Sequence, residues 1–311
     1  MSLNTTPTIS VLVTCYNYGR YITDCLNSIF NQSYTNFQVL VINDGSSDDS
    51  DSIIKSLQEK YPFEYITQVN QGVVASRNIG IKWATGDYYV QIDADDMIPE
   101  HYFERLIEAT AKDDVEIYYT PAQDLDTGRL VVDPPEFNSE LIVYKNYIHT
   151  SALVKTSFHK KFLYDEYLNR RGLEDWDLYQ SMILAGAKGK RVSETYLRYR
   201  IHPDTASRGD SSRDSIEGVR AVEYILSKHF KEYPDKMLNI EWLLDVIRRG
   251  IQNFDATSRD LVERNNKLED EVKKNKDLQR DNENLQKELE VEKNKLKKLK
   301  KIREFVRKVY K

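Results

Sequence analysis

The chain has 311 residues, 40% hydrophobic and 31% charged, with 8 Pro and 12 Gly, which fits about two packed domains and excludes collagen-like, proline-rich and wholly disordered classes. Residues 256–311 carry 18 basic and 12 acidic side chains, net +6, leaving 27 and 38, net −11, in the first 255; an acidic body is joined to a basic tail, and sequence-independent nucleic-acid binding is disfavoured. No apolar run reaches the ~18 residues of a membrane span and no basic-then-apolar leader opens the chain, so a soluble cytoplasmic protein is expected.

The run Ile9-Ser10-Val11-Leu12-Val13-Thr14 predicts a buried strand, followed by a helix over about 20–31 with Ile22, Leu26, Ile29 and Phe30 at helical spacing. Residues 37–42 (FQVLVI) form a second strand that runs into NDGSSDDS, whose Asp and Ser side chains suit the start of a helix near 52–60. A third unit comprises a strand at 65–68, a helix over about 75–84 and a strand at 88–92. Such alternation implies right-handed crossovers and a mostly parallel sheet, with ligands outside the carboxyl ends of its strands. One cleft is therefore predicted from residues 14–17, 43–46 and 93–96. Residues 118–199 read as mixed structure with a helix near 173–185, and further helices are predicted near 215–230 and 237–254. Cys15 and Cys25 are too few for a disulfide scaffold and suit core packing.

Beyond Ala256 there is neither Gly nor Pro, and a heptad register puts Leu261, Leu268, Asn275, Asn282, Leu289 and Leu296 at a. Leu278, Leu285, Leu299 and Val306 fall at d, interrupted by Arg264, Glu271 and Glu292. Asn at a selects register and strand number, most often a parallel dimer. A homo-oligomer through a coiled coil is expected, against the alternative of a single solvated helix. Ten of residues 293–311 are basic and one is acidic, with Leu296, Leu299, Ile302, Phe305, Val306 and Val309 recurring every three or four positions. That pattern outlines an interfacial helix able to hold the chain peripherally at an anionic membrane.

Asp93-Ala94-Asp95-Asp96 directly follows an apolar strand, and clustered carboxylates there repel one another unless a cation or donors satisfy them; oxygen ligands suit magnesium or manganese bridging a diphosphate, against the alternative of a turn or helix cap before Pro99. Glu174 and Asp175 open an amphipathic helix, where acids also serve the helix dipole.

Four segments in order, ISVLVTCYNYGRYITDCLNSIFNQSYTNFQVLVINDGSSDDS, NQGVVASRNIGIKWATGDYYVQIDADD, GLEDWDLYQSM and YRIHPDTAS, resemble the inverting family 2 glycosyltransferases of the GT-A fold. The resemblance spans about two thirds of the chain and is silent on the tail. It implies an α/β GT-A sheet with flanking helices over 1–212; the residue patterns beyond it add a helical extension over 213–255 and the coiled coil over 256–311. By the same resemblance Thr14 and Tyr16 line the nucleotide base, Asp44 accepts the uracil imide, Arg77 lies near the nucleotide, and Asp93 with Ala94 faces the ribose. Asp95 and Asp96 hold the metal, His202 reaches the metal or diphosphate, and Asp175 is the general base. The implied reaction moves a sugar from a UDP-sugar to a hydroxyl of a polysaccharide, glycolipid or glycoprotein acceptor, with manganese or magnesium. A sugar nucleotidyltransferase would need a Gly-rich loop after the first strand, where only Gly19 occurs, and a nicotinamide dehydrogenase would need G-x-G-x-x-G there. A catalytically silent domain carrying a coiled-coil scaffold is the rival from another class; Asp95, Asp175 and His202 weigh against it.

Overall fold

The computed structural model describes residues 6–202, 216–229 and 279–309. The chain divides into two compact units, 1–237 and 238–311. The predicted helix at 237–254 and the heptad positions Leu261, Leu268, Asn275 and Leu278 lie outside the described residues.

In the first unit β1 (Ile9–Cys15), α1 (Gly19–Phe30), β2 (Phe37–Asn43), α2 (Ser50–Gln58), β3 (Glu64–Thr67), α3 (Val73–Trp83) and β4 (Tyr88–Asp93) follow the predicted alternation. The second half adds α4 (Tyr102–Lys112), β5 (Ile117–Tyr119), β6 (Ala122–Asp124), β7 (Leu130–Val132) and β8 (Leu153–Lys155). After these come α5 (Thr156–His159), α6 (Glu174–Leu184), β9 (Gly189–Arg191), β10 (Leu197–Tyr199) and a helix Ile216–His229. The main sheet has seven strands in the order β3-β2-β1-β4-β8-β5-β9, and β10-β6-β7 form a small second sheet.

The expectation of a mostly parallel sheet holds for β1 to β4, which pair in parallel. It is modified at β8, which lies antiparallel to both β4 and β5. Helical crossovers enforce parallel pairing only where each strand is followed by a helix, and between α4 and β8 the chain runs through short strands instead.

β1 is buried along its whole length. Ile9, Val11, Val13 and Cys15 face a core built with Ile22, Leu26, Ile29, Ile54, Phe103 and Leu106, whereas Leu12 joins the opposite core with Val74, Ile81, Trp176, Tyr179 and Met182. The strand's period of two thus feeds two layers, with α1, α2 and α4 on one face and α3 and α6 on the other. Gly80 lets α3 lie close against β1, since a Cβ there would press into the Leu12 methyls. Cys15 and Cys25 are free thiols buried in the first of these cores.

The helix Ile216–His229 belongs to the first unit: Ala221 and Ile225 are buried in the α3/α6 core. Lys228 Nζ donates to Asp165 Oδ2 at 2.7 Å and to Asp177 Oδ2 at 2.8 Å, and His229 Nε2 lies 2.9 Å from Asp177 Oδ1. In the second unit the described residues form one helix, Gln279–Val309. There Leu289 and Leu299 are buried, Leu296 and Ile302 half-buried, and Lys297, Lys298, Lys300 and Lys301 exposed. No helix among the described residues is long and apolar enough to cross a membrane.

Candidate active site

The parallel register sets Thr14 beside Ile42 on one side and Asp93 on the other, so β1, β2 and β4 end at one level. Thr14 Oγ1 donates to Asp93 Oδ1 at 3.1 Å, and Gln91 Nε2 donates to the same oxygen at 2.9 Å. Ala94 is buried and its N–H donates to Thr14 O at 3.2 Å, which continues the strand pairing into the turn. The Tyr16 ring stands 48% exposed, a free face at the mouth of the cleft.

Asp44 is buried beneath the loop that precedes α3. Its Oδ1 accepts from Gln68 Nε2 at 2.7 Å and Gln71 N at 2.9 Å, and its Oδ2 accepts from Gly72 N at 2.8 Å. A carboxylate offers about four lone-pair positions, so most of its accepting capacity is spent on shaping this loop. Gly72 is required there: its φ is +89°, and a Cβ would run into the Asn169 carboxamide.

The turn after β4 gathers the acidic residues with the segment that follows β10, because Met97 and Arg198 form an antiparallel bridge. Arg200 N donates to Asp96 Oδ1 at 2.9 Å and Arg200 Nε to Asp95 O at 3.0 Å. His202 Nε2 lies 2.8 Å from Asp95 Oδ2. Tyr18 stacks on the imidazole with ring centroids 5.8 Å apart, and Tyr21 packs at 5.4 Å from it. The Arg200 guanidinium in turn covers Tyr21, 4.3 Å from its ring centre.

Burial, then repulsion from Asp93, raises the Asp95 carboxyl above its ordinary range. Burial, then repulsion from Asp95 and Asp93, raises Asp96 further. Among the described residues no three His, Cys, Asp or Glu side chains converge as a complete metal cage. Asp95 and His202 instead present two adjoining donors amid crowded acids. That set fits a divalent ion that takes its other ligands from water and phosphate oxygens, the usual habit of magnesium.

Across the cleft the chain turns through Arg170, Gly172 and Leu173, all at positive φ, to start α6. Asp175 lies in its first turn, partly buried, with Oδ1 accepting from Asn146 Nδ2 at 3.0 Å and from Trp176 N at 2.8 Å. Burial and the adjacent Glu174 push the Asp175 carboxyl up to about 6. Trp176, which the sequence left open between acceptor wall and core, is core: its ring is 2% exposed and Nε1 donates to Ile142 O at 2.5 Å.

Arg77 lies on α3 between these two halves and is 5% exposed. Nη1 meets Glu174 Oε1 at 2.5 Å and Nη2 faces Asp93 Oδ2 at 3.5 Å. Burial acts to lower its pKa, but the carboxylates of Asp93, Glu174 and Asp175 carry it above the ordinary arginine value. It therefore stays charged.

The match to the Glycosyl transferase family 2 model runs over residues 10–162. The uncharacterized glycosyltransferase YibD of Escherichia coli is 36% identical over 266 residues, covering 76% of this chain and 75% of its own. The chain belongs to glycosyl transferase family 2. Another relative, the glycosyltransferase GlyA of Streptococcus pneumoniae, is 28% identical over 254 residues, covering 72% of this chain but only 36% of its own length. Among solved structures, a fragment of Staphylococcus aureus TarS in complex with UDP has a TM-score of 0.56 at 21% identity, covering 72% of each chain. The Pyrobaculum calidifontis mannosyltransferase PcManGT, in complex with GDP-Man and Mn2+, has a TM-score of 0.59 at 14% identity, covering 82% of this chain and 76% of its own. At these identities the two structures establish a shared fold.

For this family 2 glycosyltransferase the sequence motifs locate Thr14, Tyr16, Asp44, Asp93, Ala94, Asp95, Asp96 and His202 at one end of the sheet. Asp175 stands at the start of α6, linked to that end through Glu174 and Arg77. Tyr18, Tyr21 and Arg200, which surround His202 and the acidic turn, lie inside the quoted segments but carried no signal of their own, and Asn146, which donates to Asp175, lies outside all four. Arg77 reaches the donor side only through Asp93.

Proposed function

We propose that the enzyme transfers a sugar from a UDP-sugar to an acceptor hydroxyl with inversion at the anomeric carbon. The observation that carries this reading is the pairing of two unlike carboxylate groups at one end of the sheet. One is the crowded Asp93–Asp96 turn with His202, and the other is Glu174 with the raised Asp175 on α6. The UDP complex of TarS and the GDP-mannose complex of PcManGT support a nucleotide-sugar donor on this fold.

In this reading Tyr16 stacks on the base and Thr14 and Asp44 bound its edge, with the one accepting position left on Asp44 directed to the imide. Asp93 and Ala94 meet the ribose. Asp95 and His202 would hold manganese or magnesium, with Asp96, turned toward the Arg200 N–H, behind them; the ion would supply charge neutralisation for a departing diphosphate. Asp175 takes the proton of the acceptor hydroxyl as that oxygen forms its bond to the anomeric carbon and the bond to the diphosphate oxygen breaks. A base raised to about 6 suits this proton transfer, being ionised at neutral pH yet basic enough to hold the proton.

The tail is assigned to placement. Heptads suit self-association of copies, and the cationic stripe of residues 293–311 suits the inner face of a membrane carrying a lipid-linked acceptor. Incubating the protein with a panel of UDP-sugars and GDP-mannose tests the reaction. UDP release should vanish in excess chelator and return with manganese or magnesium; full activity in chelator removes the metal from the scheme, and turnover of GDP-mannose alone overturns the uridine assignment.

A further inference from the structure

Three consecutive side chains of α3 reach three different parts of the cleft, because successive helical residues point about 100° apart. Ser76 Oγ accepts from Gln68 Nε2 at 3.1 Å, the same amide that donates to Asp44. Asn78 exchanges two hydrogen bonds with the Tyr164 backbone, Nδ2 to Tyr164 O at 3.0 Å and Tyr164 N to Oδ1 at 2.9 Å. Arg77 lies between them, with its guanidinium 5.4 Å from the Tyr164 ring centre and its two terminal nitrogens against Glu174 and Asp93. All three residues are buried.

A buried cation is costly unless it is paired, and here the partners come from elements far apart in sequence. Glu174 stands beside the base on α6, and Asp93 ends the strand on the donor side. A guanidinium spent in this way is a poor direct ligand for a diphosphate, since reaching one would break the Glu174 contact. We propose that Arg77 is a positioning residue for transfer: clamped between Glu174 and Asp93, it fixes the start of α6 against the end of β4 and offsets the Glu174 charge beside the base. This rests on the reading of Asp175 as that base.

The groups facing Asp175 are few. On its own helix they are Glu174 and Tyr179, from α3 Arg77, from the loop before α6 Tyr164, and from β10 Tyr199, with Asn146 as a neutral donor. Burial raises all three tyrosines, so they stay neutral wherever a carboxyl titrates. Only Arg77 and Glu174 then act on Asp175 as charges at close range, and they act in opposite senses: the cation lowers its pKa and the anion raises it.

The test is a carbon-13 NMR titration of the Asp175 carboxyl in the full-length protein, assigned by its loss in Asp175→Asn, together with calorimetry of UDP with manganese. Arg77→Met should move the Asp175 titration upward by roughly one unit, a tenfold change in proton affinity, and Glu174→Gln should move it downward by a similar amount. The double variant should fall between them, and Arg77→Lys should stay near the wild type in titration while losing transfer, because an ammonium lacks the two-sided fork. UDP affinity should change by less than about threefold in all of them, within the scatter expected for a residue without direct contact. If neither Glu174→Gln nor Arg77→Lys behaves so, the proposal fails even where Arg77→Met does not fold. A large loss of UDP affinity with an unmoved titration overturns it in favour of direct nucleotide contact. Failure of the base reading is separate: it would show as transfer retained in Asp175→Asn.

Discussion

Asp175→Asn removes a charge while keeping the shape of the side chain. Asn146 Nδ2 and Trp176 N both donate to Oδ1, and a carboxamide oxygen accepts both in the same place. The difference between the two proteins is then chiefly the cost of ionising a carboxyl beside Glu174 out of bulk water. Burial and Glu174 lift that carboxyl from 3.8 to about 6, a rise of about two units, or at most about 3 kcal/mol of folding free energy. Part of the residue meets solvent in the cleft, and screening brings the figure to about 1–2 kcal/mol. Because the folded state binds this proton more tightly than the unfolded chain, the stabilisation is complete below about 4 and is lost as pH rises through about 6. The variant lacks this dependence. In urea denaturation at pH 7.5 Asp175→Asn should therefore be more stable than the wild type by about 1–2 kcal/mol, with the gap closing as pH falls from about 6 to about 4. At pH 7.5 it should also lose most transfer while keeping its affinity for UDP, as a group acting only in the transition state would. A variant less stable at pH 7.5, or a stability gap indifferent to pH, would refute the electrostatic reasoning.

Two further outcomes follow from the loop and the tail. Asp44→Ala strands the N–H groups of Gln71 and Gly72 and the Gln68 amide; it should cost about 2–3 kcal/mol in urea denaturation, and a loss under about 0.5 kcal/mol would show that water replaces the carboxylate. Deleting residues 293–311 should abolish salt-sensitive flotation with anionic liposomes, and truncation after Phe254 should give a smaller species in light scattering. Flotation unchanged by the deletion, or equal masses before and after truncation, would remove the corresponding role of the tail.

Strands β1, β2 and β4 were legible because each is a largely apolar run, and because β1 and β4 are buried on both faces. From β5 onward the strands have three residues each, too few for a period to show, and the antiparallel insertion of β8 is fixed only by long-range pairing. α4 also escaped the reading: its apolar side chains at Tyr102, Phe103 and Leu106 are interrupted by Glu104 and Arg105, yet they complete the core under β1. At the site, residues recognised by their place in a motif were legible, and residues that act by neighbourhood were not. Asn146 meets Asp175 across 29 residues and Arg77 meets Glu174 across 97. Asp44 was read for its carboxylate, but nothing in its sequence context says that three donors from the Gln68–Gly72 loop already occupy it.

The charges of the cleft divide unevenly, and the division bears on how the two substrates are handled. On the α6 side Arg77 meets Glu174 at 2.5 Å and offsets part of the charge that raises Asp175. On the donor side Asp93, Asp95 and Asp96 meet the far nitrogen of Arg77, Arg200 and His202, with Thr14 and Gln91 as neutral donors to Asp93. Burial first, and then the mutual repulsion of these acids, raises the Asp95 and Asp96 carboxyls. A bare diphosphate brought there would meet carboxylates at close range, where like charges repel most strongly. A divalent ion arriving with the diphosphate relieves both the incoming charge and the crowded acids. Under the proposed function donor affinity should depend on the metal, while the protonation of Asp175 is set within the protein by burial, Glu174 and Arg77. Arg77, touching Asp93 on one side and Glu174 on the other, is a side chain through which a change on the donor side reaches the surroundings of Asp175.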